Sequence, residues 1–563
     1  MQSDAVFVEL RLRSEFSMGF WDKFGVRFYK IERVLHMIRD FGDKLRARSR
    51  AIVLILSEKT NATVRLSAVP RAALFSGAPP GVGLRTANLK PTMNFATPTA
   101  VAATLAALTA AADGTAAPAA ASKPAPSAGQ HPDIIVIMTD QQTAGAMSCA
   151  GNPWVRTPAM DALAADGVRF TRAYCPYPLS GPCRASLVTG RMPFEVGAAD
   201  NGIRPSAEAL REGIGHRMSA AGYECLYAGK WHVPEVNLPD SGTGFRRISK
   251  MDDPTLAAAC DAALGACDGR KPLFLVASLL NPHEICEYGR NETLQYGELE
   301  PFATGECPNL PANFMPSTYA AEALTLERAA SPRYHDTGTY TEDDWRRYLY
   351  AYYRFVERVD REVGRLIEVL KKYRLYDDAV ILFLSDHGDG AAAHGWNQKW
   401  NLQEEVINVP LIVKSPKGAG LRGAVNTAAL SNVGLDLYAT VCDYAGVSPD
   451  AGRYRGRSLR PVAEGRAETL HEEVFVETLL SGVGMRGWSI VGPRYKYVLY
   501  QWGRNREALY DLQSDPGEMV NLAVDRRYFG ELVRLRRALY EWGVRIGEQR
   551  LIRNLRPWAG SEE

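Results

Sequence analysis

Two apolar segments that each end in an acidic residue constrain the fold most. They are DIIVIMTD, residues 133–140, and AVILFLSDHGD, in which Asp386 and His387 directly follow the apolar run. Continuous apolar runs of this length indicate strands buried on both faces, as in a parallel sheet. A third such run, KPLFLVASLLNPHE, places His283 just past its end. Helical patterns lie between these strands, so the sequence predicts an α/β sheet with helices on both faces.

Polar side chains follow each of the three predicted strands. They are Asp140 with Gln141, Asp386 with His387, and His283. Ligands of doubly wound sheets bind beyond the carboxyl ends of the strands, so this edge is a candidate site. Acids combined with amide or imidazole groups on two strand ends can hold a cation in an oxygen-rich ligand set. The alternative, that these residues are unrelated helix caps and structural contacts, stays open at this point.

The pattern changes after about residue 470. Short strand-like runs broken by glycine and proline, in EVFVETLLSGVGMRGWSIVGPRYKYVLY, predict a small antiparallel sheet. A final helix is predicted for YFGELVRLRRALYEWGVRI. We expect a main domain over residues 131–465 and a C-terminal subdomain over residues 466–563.

Charge and cysteine content argue against three kinds of protein. The net charge is +2, from 66 basic and 64 acidic side chains, so the chain lacks the electrostatics of a nucleic-acid binder. The nine cysteines are scattered without C-x-x-C pairs, which argues against a disulfide framework and a structural zinc site.

The N-terminal part has a different composition. Residues 1–92 show no sustained period and are an extension of uncertain status. Residues 93–130 begin with an apolar, Ala- and Thr-rich stretch and continue as an Ala/Pro linker. The stretch over residues 93–112 resembles a secretory signal, which predicts a periplasmic or secreted protein. If that stretch is only a linker, we expect a cytoplasmic one; it is too short and too weakly apolar for a stable membrane span.

The segment PLSGPCRASLVTGRMP resembles the sulfatase signature, in which Cys or Ser is followed by x-Pro-x-Arg and then by Thr-Gly-Arg. Only Ser180 has proline two positions on, at Pro182, and arginine four positions on, at Arg184. Cys175 and Cys183 fail that test. Further blocks similar to the family follow in order: AGYECLYAGKWH, LFLVASLLNPHE, YDDAVILFLSDHGD, WNQKWNLQEEVINVPLIV and ALYDLQSDPGEMVNLA.

This resemblance implies a type I, formylglycine-dependent sulfatase of the serine type, with an alkaline-phosphatase-like fold: a mostly parallel sheet flanked by helices and a smaller C-terminal antiparallel subdomain. Ser180 would be oxidised to formylglycine by a serine-type formylglycine-generating maturase, a radical iron–sulfur enzyme. Residues 131–465 would form the catalytic domain. A divalent cation, usually Ca²⁺ with Mg²⁺ or Mn²⁺ as alternatives, would be held by Asp140, Gln141, Asp386, His387 and the modified residue 180.

The resemblance also implies roles for five further residues. Arg184 would orient the aldehyde, and His232 would act as the base that helps to expel sulfate. Lys230, His283 and Lys399 would hold the sulfate oxygens, and either His283 or Lys399 would protonate the leaving group. Many relatives have Asp where this chain has Gln141 and Asn where it has His387, so this chain offers fewer anionic ligands to the metal than they do.

Three functions are compatible with these residues. The first is hydrolysis of a sulfate ester, with a sulfated sugar preferred only because such substrates are common in the family. The second is hydrolysis of a phosphonate monoester or phosphodiester, as in relatives of the same superfamily. The third is an inactive sulfated-glycan binder, which would follow if Ser180 is never converted. His394 is either a supporting residue of the site or a loop histidine, and Glu405 is expected to be a structural partner.

Overall fold

The computed structural model describes residues 131–233, 242–335, 337–449 and 452–559, together with the backbone of two short strands nearer the N-terminus. The expected signal or linker over residues 93–130 lies outside the described residues, as does most of the extension before it.

Two compact units divide the chain. The first covers Met1–Ala112, in which strands β1 (Ala51–Ile55) and β2 (Arg65–Val69) pair antiparallel. The second covers Asp113–Glu563 and contains every element described below. The boundary expected near residue 465 falls within this second unit and stays a prediction.

The second unit is built on an eight-stranded sheet. Its strands in chain order are β3 (Ile134–Asp140), β4 (Val168–Phe170), β6 (Glu224–Gly229), β7 (Arg246–Arg247), β8 (Leu273–Pro282), β9 (Val380–Ser385), β10 (Leu411–Lys414) and β11 (Ala424–Asn426). Their spatial order is β11-β4-β10-β9-β3-β8-β6-β7. Only β10 runs antiparallel to its neighbours in this sheet, so the prediction of a mostly parallel sheet is confirmed. A separate pair joins β5 (Ala173–Tyr174) to β12 (Ser431–Asn432).

Helices cover both faces of the sheet. Their bounds are α1 (Pro158–Ala165), α2 (Ser180–Thr189), α3 (Ala207–Arg211), α4 (Ile214–Ala220), α5 (Asp253–Ala266), α6 (Ile285–Gly289), α7 (Glu322–Ala330), α8 (Pro332–His335), α9 (Glu342–Lys372), α10 (Leu375–Asp378), α11 (Glu404–Ile407), α12 (Val433–Tyr444), α13 (Arg460–Ala463), α14 (Phe529–Ile546) and α15 (Gln549–Ala559).

The alternation of side chains along β3 explains why two helical layers are needed. Ile135 and Ile137 pack into one apolar cluster with α1, α5 and the long helix α9. Val136 and Met138 pack into another with α2, α4 and α12. Successive residues of a strand point to opposite faces, so a strand that is apolar throughout requires cover on both sides.

The C-terminal segment forms a four-stranded antiparallel sheet, as predicted. Its strands are β13 (Val474–Leu480), β14 (Met485–Val491), β15 (Tyr495–Tyr500) and β16 (Glu507–Asp511). The helix α14 packs against it, and Phe475 stacks on Trp542 with ring centroids 4.1 Å apart. The chain then turns at Gly547, which has a φ of 73°, into the further helix α15. Among the described helices, none combines the length and the apolarity needed to cross a membrane.

Four parallel strands that lie side by side deliver the candidate site residues. In spatial order, β9, β3, β8 and β6 end at Ser385, Asp140, Pro282 and Gly229. Parallel neighbours place their carboxyl ends on the same edge of the sheet. The residues that follow these strands, including Asp386, His283 and Lys230, therefore converge at that edge.

Candidate active site

Ser180 opens helix α2 and lies fully buried at the carboxyl edge of the sheet. Its Oγ is 3.0 Å from Nε2 of His387 and 3.2 Å from Oδ2 of Asp140. Leu179 before it is extended, with a φ of −160°, so the chain enters the helix directly at Ser180. The first turn of a helix carries unpaired N–H groups and a partial positive charge. This position therefore favours negative charge developing on an attached oxygen.

Arg184 lies one helical turn after Ser180 and is almost fully buried. Its Nε donates to Asp386 and one terminal nitrogen donates to Asp140, each at 2.8 Å. The other terminal nitrogen donates to the Lys230 carbonyl at 2.9 Å and to the Ser278 hydroxyl at 2.7 Å. The planar guanidinium thereby binds residues of four adjacent strands or of the segments that directly follow them. A lysine, with a single nitrogen, could not make all of these contacts.

Asp140 and Asp386 are both fully buried and differ in their proton affinity. Burial alone would raise the pKa of Asp140, but the positive charges of Lys230, at 2.7 Å, and Arg184 outweigh it and hold that pKa well below its usual range. Burial, followed by the negative charge of Asp140, raises the pKa of Asp386 to about 7. Two carboxylates in one dry site repel each other, and a bound cation relieves that repulsion.

The group formed by Asp140, Asp386 and His387 fits a divalent cation. One ligand atom from each lies within 4.8 Å of the others. The Nδ1 of His387 is 2.9 Å from the Gly388 carbonyl, to which it donates, so Nε2 presents its lone pair to the site. Burial lowers the pKa of His387 well below its usual value and keeps the ring neutral. A neutral imidazole fixed by a backbone carbonyl is the usual form of a metal ligand.

Gln141 lies beside this group, with its side chain bound to other residues. Its Oε1 accepts from Lys399 Nζ at 2.8 Å and from the Cys286 thiol at 3.2 Å, and its Nε2 donates to Asp389 at 2.8 Å. The backbone of Gln141 is left-handed, with a φ of 70°, and its N–H donates to Asp386. The expected role of Gln141 as a metal ligand stays a prediction.

Lys230, His232 and His283 line a cavity of about 610 Å³ next to the buried acids. Desolvation within the protein, and then the charge of Lys230, lowers the pKa of His232 to about 3, although its side chain still reaches solvent. Burial, and then the charge of Lys399, lowers the pKa of His283 to about 4. Both rings are therefore neutral near pH 7, and the cationic side chains that line the cavity are Lys230 and Arg247, with Glu284 and Glu287 also present. The two cations can bind an anionic group of a substrate.

Sequence reasoning missed several residues that support the site. Asp389 holds Gln141, Ser278 accepts from Arg184, and Glu287 faces Nδ1 of His283 at 3.6 Å. Asp389 is the last residue of the SDHGD segment. An acidic residue so close to the end of a predicted buried strand could have identified it as part of the site. Glu287 follows His283 by one helical turn, a spacing that places two side chains on one face.

His394 and Glu405 come together at a separate position. Their ligand atoms and one of Glu518 lie within 4.8 Å of one another, apart from the group around Asp140. His394 is only 5% exposed, so it is not a surface loop histidine. Glu405 accepts a hydrogen bond from Asn313 at 2.7 Å, in keeping with the structural role expected for it.

An α/β sheet with a buried hydroxyl, two acids and several cationic groups at its carboxyl edge agrees with the hydrolase of the alkaline phosphatase superfamily that the signature around Ser180 implies. Comparison with known proteins narrows this class. The family model described as Sulfatase matches residues 132–447, more than half of the chain. A second, described as N-sulphoglucosamine sulphohydrolase, C-terminal, matches residues 392–543. The chain belongs to the sulfatase family of sulfuric ester hydrolases.

Individual relatives agree with this assignment. The chain is 29% identical to a Δ4,5-hexuronate-2-O-sulfatase of Bacteroides thetaiotaomicron, over 71% of this chain and 86% of that protein. It is similar to the solved structure of a 2-O GAG sulfatase, with a TM-score of 0.64, 27% identity and coverage of 74% and 93%. It also shares its fold with the phosphonate monoester hydrolase of Agrobacterium radiobacter, with a TM-score of 0.58, 22% identity and coverage of 76% and 96%.

Proposed function

We propose that the protein removes sulfate from a sulfated sugar, with a formylglycine made from Ser180 as its nucleophile. The sulfate ester chemistry follows from the family. The sugar is supported by the hexuronate sulfatase relative, which covers most of both chains. The cavity of about 610 Å³ beside the buried acids has room for a sugar ring.

The observation that carries this proposal is the position of Ser180. Its hydroxyl is enclosed by Asp140 and His387 at the start of a helix, and two cationic side chains, Arg184 and Lys230, bind the same aspartate. A plain serine would form a sulfate ester and stop, because it has no second hydroxyl with which to expel the sulfate. Conversion to an aldehyde, hydrated to a geminal diol, supplies that second hydroxyl.

The chemistry at residue 180 then has two parts. In the first, one hydroxyl oxygen of the diol bonds to sulfur, the bond from sulfur to the sugar oxygen breaks, and the sugar alcohol takes up a proton. In the second, the remaining hydroxyl loses its proton, the C=O bond re-forms and the bond to the sulfated oxygen breaks, which releases sulfate. His232 is suited to accept that proton, because its ring is neutral in the free site.

Two side chains are candidates for the proton donor to the sugar alcohol. His283 is neutral in the free site because burial and the charge of Lys399 lower its pKa. A bound sulfate anion together with Glu287, at 3.6 Å, would favour its protonated form. Lys399 carries protons of its own and contacts Gln141 at the same edge. Lys230 and Lys399 would hold the sulfate oxygens.

Asp140, Asp386, His387 and the modified residue 180 would hold a divalent cation, with Ca²⁺ preferred and Mg²⁺ or Mn²⁺ as alternatives. The neutral imidazole and the two buried carboxylates support this assignment. When bound, the cation supplies positive charge that offsets the negative charge of the sulfate group. Gln141 would join this set only by giving up its contact with Lys399 or Cys286.

Conversion of Ser180 requires a partner enzyme, proposed to be a serine-type formylglycine-generating maturase of the radical iron–sulfur class. If residues 93–112 act as a secretory signal, the mature protein would be periplasmic or secreted, and conversion would have to precede export. If they form only a linker, the protein would stay in the cytoplasm. Residues 131–465 would form the catalytic domain and residues 466–563 the C-terminal subdomain.

The proposed function is tested by assaying the converted protein on a panel of sulfated monosaccharides and disaccharides, with an aryl phosphonate monoester alongside. The expected result is sulfate release from at least one sugar with a kcat/KM well above that for the phosphonate. Preference for the phosphonate would identify a phosphonate monoester hydrolase instead, whose fold the chain shares. Tight binding of sulfated sugars without any turnover by converted protein would identify a glycan binder.

A further inference from the structure

A second cluster of metal-ligating side chains lies outside the candidate active site. It consists of His394, Glu405 and Glu518, with one ligand atom from each within 4.8 Å of the others. The three residues come from separate segments: the loop after β9, the first turn of α11, and the segment after β16. The cluster therefore joins the loop that carries His387 and Lys399 to the C-terminal subdomain.

The polar atoms of this cluster lack the partners that buried groups normally have. His394 is 5% exposed, and neither ring nitrogen makes a hydrogen bond of normal geometry within the described chain, although the Met315 carbonyl lies near the ring. The Oε2 of Glu405 is out of contact with solvent and likewise has no partner there. Its Oε1 is already used by Asn313. Such unpaired atoms are rare in native proteins and often mark a missing ligand.

The charges around the cluster are also unbalanced. Lys496 is fully buried, and its Nζ lies 3.0 Å from Glu404 and 2.8 Å from Glu518. Three carboxylates therefore lie near a single ammonium group; they belong to Glu404, Glu405 and Glu518. A divalent cation would offset the two negative charges that remain when all three carboxylates are ionised, and uncompensated buried charge is strongly unfavourable.

We propose that His394, Glu405 and Glu518 bind a divalent transition-metal ion such as Zn²⁺ or Mn²⁺. One imidazole with two carboxylates is a ligand set that suits these ions. Ligand atoms about 2.1 Å from a zinc ion are roughly 3.4 Å apart in a tetrahedral site. The ligand atoms of this cluster all lie within 4.8 Å of one another, which is near that spacing. The ion would fasten the loop over residues 388–403 to the segment around Glu518.

The experiment is equilibrium dialysis of the full chain against Zn²⁺ with Ca²⁺ in excess, followed by elemental analysis. Ca²⁺ is added in excess because the group around Asp140, which also contains an imidazole, is proposed above to prefer Ca²⁺ and could otherwise take up Zn²⁺ as well. The expected result is one Zn²⁺ per chain in the wild type and at least about tenfold weaker Zn²⁺ binding in Glu405→Gln and His394→Asn. Asp386→Asn, which alters the other site, should keep its Zn²⁺.

Glu405→Gln is close in shape to the native residue and retains an oxygen that can accept from Asn313. His216→Asn is the matched control, because His216 belongs to neither ligand cluster, and it should bind Zn²⁺ like the wild type. The proposal is overturned if the Ca²⁺-saturated wild type takes up no Zn²⁺, a result that needs no folded variant. It is also overturned if Zn²⁺ binding survives in folded Glu405→Gln and His394→Asn but is lost in Asp386→Asn.

Discussion

The hydroxyl of Ser180 lies 3.0 Å from Nε2 of His387, although the two residues are 207 positions apart in the chain. Helix α2 brings the hydroxyl to the carboxyl edge of the sheet, and the end of β9 brings the imidazole. The contact joins the residue proposed as the nucleophile precursor to a residue proposed as a metal ligand. Changes in the groups that hold these two elements together should therefore affect both.

Replacing Arg184 by lysine should lower kcat by at least about 10²-fold, even though the charge is kept. A lysine cannot bind Asp140, Asp386, Ser278 and the Lys230 carbonyl at once, as the guanidinium does. Steady-state kinetics of the converted variant, together with its melting temperature, measures the effect. Unchanged kcat in a folded variant would show that the simultaneous contacts of the guanidinium are not needed for catalysis.

Neutral buried histidines should make stability depend on pH. Burial lowers the pKa of His283 to about 4, whereas an unfolded histidine has a pKa of about 6.5. Between these values the unfolded chain binds more protons, so the free energy of unfolding rises with pH through this window and levels off above it. His283→Asn should show a shallower rise in urea-unfolding experiments. An equally steep rise in the variant would exclude His283 as a source.

Replacing Asp389 by asparagine should weaken activity about 10- to 100-fold through Gln141. Asp389 accepts from Gln141 Nε2 at 2.8 Å, from the Tyr348 hydroxyl and from the Ala391 N–H. The variant should also bind its activating cation less tightly, which a titration of activity against Ca²⁺ measures. Tyr348→Phe removes one other donor to Asp389 and should have a smaller effect. Equal losses in the two variants would argue against a role through Gln141.

Replacing Lys496 by methionine should destabilise the protein by about 3–5 kcal/mol. The ammonium of Lys496 is fully buried between Glu404 and Glu518, and its removal leaves both carboxylates without the cation that they share. Chemical unfolding measures the loss. Lys417→Met, at an exposed lysine, is the control and should change stability by less than about 0.5 kcal/mol. Similar small changes in both variants would show that this ion pair adds little to stability.

The parts of the site that lie within one element could be predicted from the sequence. Ser180 and Arg184 are four positions apart on one helix, a spacing that places them on the same face. The strand that ends at Asp140 and the strand that ends just before Asp386 could be predicted from the sequence. Both are buried on two faces, which requires uninterrupted apolar runs. The final helix was also visible, but the further helix after Gly547 was not expected.

Contacts between distant segments could not be predicted in this way. The hydrogen bond from the Cys286 thiol to Gln141 joins residues 145 positions apart. The cluster around His394 is formed by residues of three separate segments. The local periodicity of the sequence does not predict such long-range contacts, because they depend on the order of the strands in the sheet and on the paths of the loops. The antiparallel direction of β10 could not be predicted either. Its short apolar run is compatible with a parallel or an antiparallel neighbour.

The most direct test of the central claim is the mass of the tryptic peptide spanning residues 173–184. It should be taken from protein produced together with a serine-type maturase, with Ser180→Ala as the control. The account predicts a peptide lighter by two hydrogen atoms than the encoded one, with an aldehyde that a hydrazide probe captures and the control lacks. An unmodified serine in protein that nevertheless releases sulfate would contradict the account, because Ser180 would then not act through formylglycine.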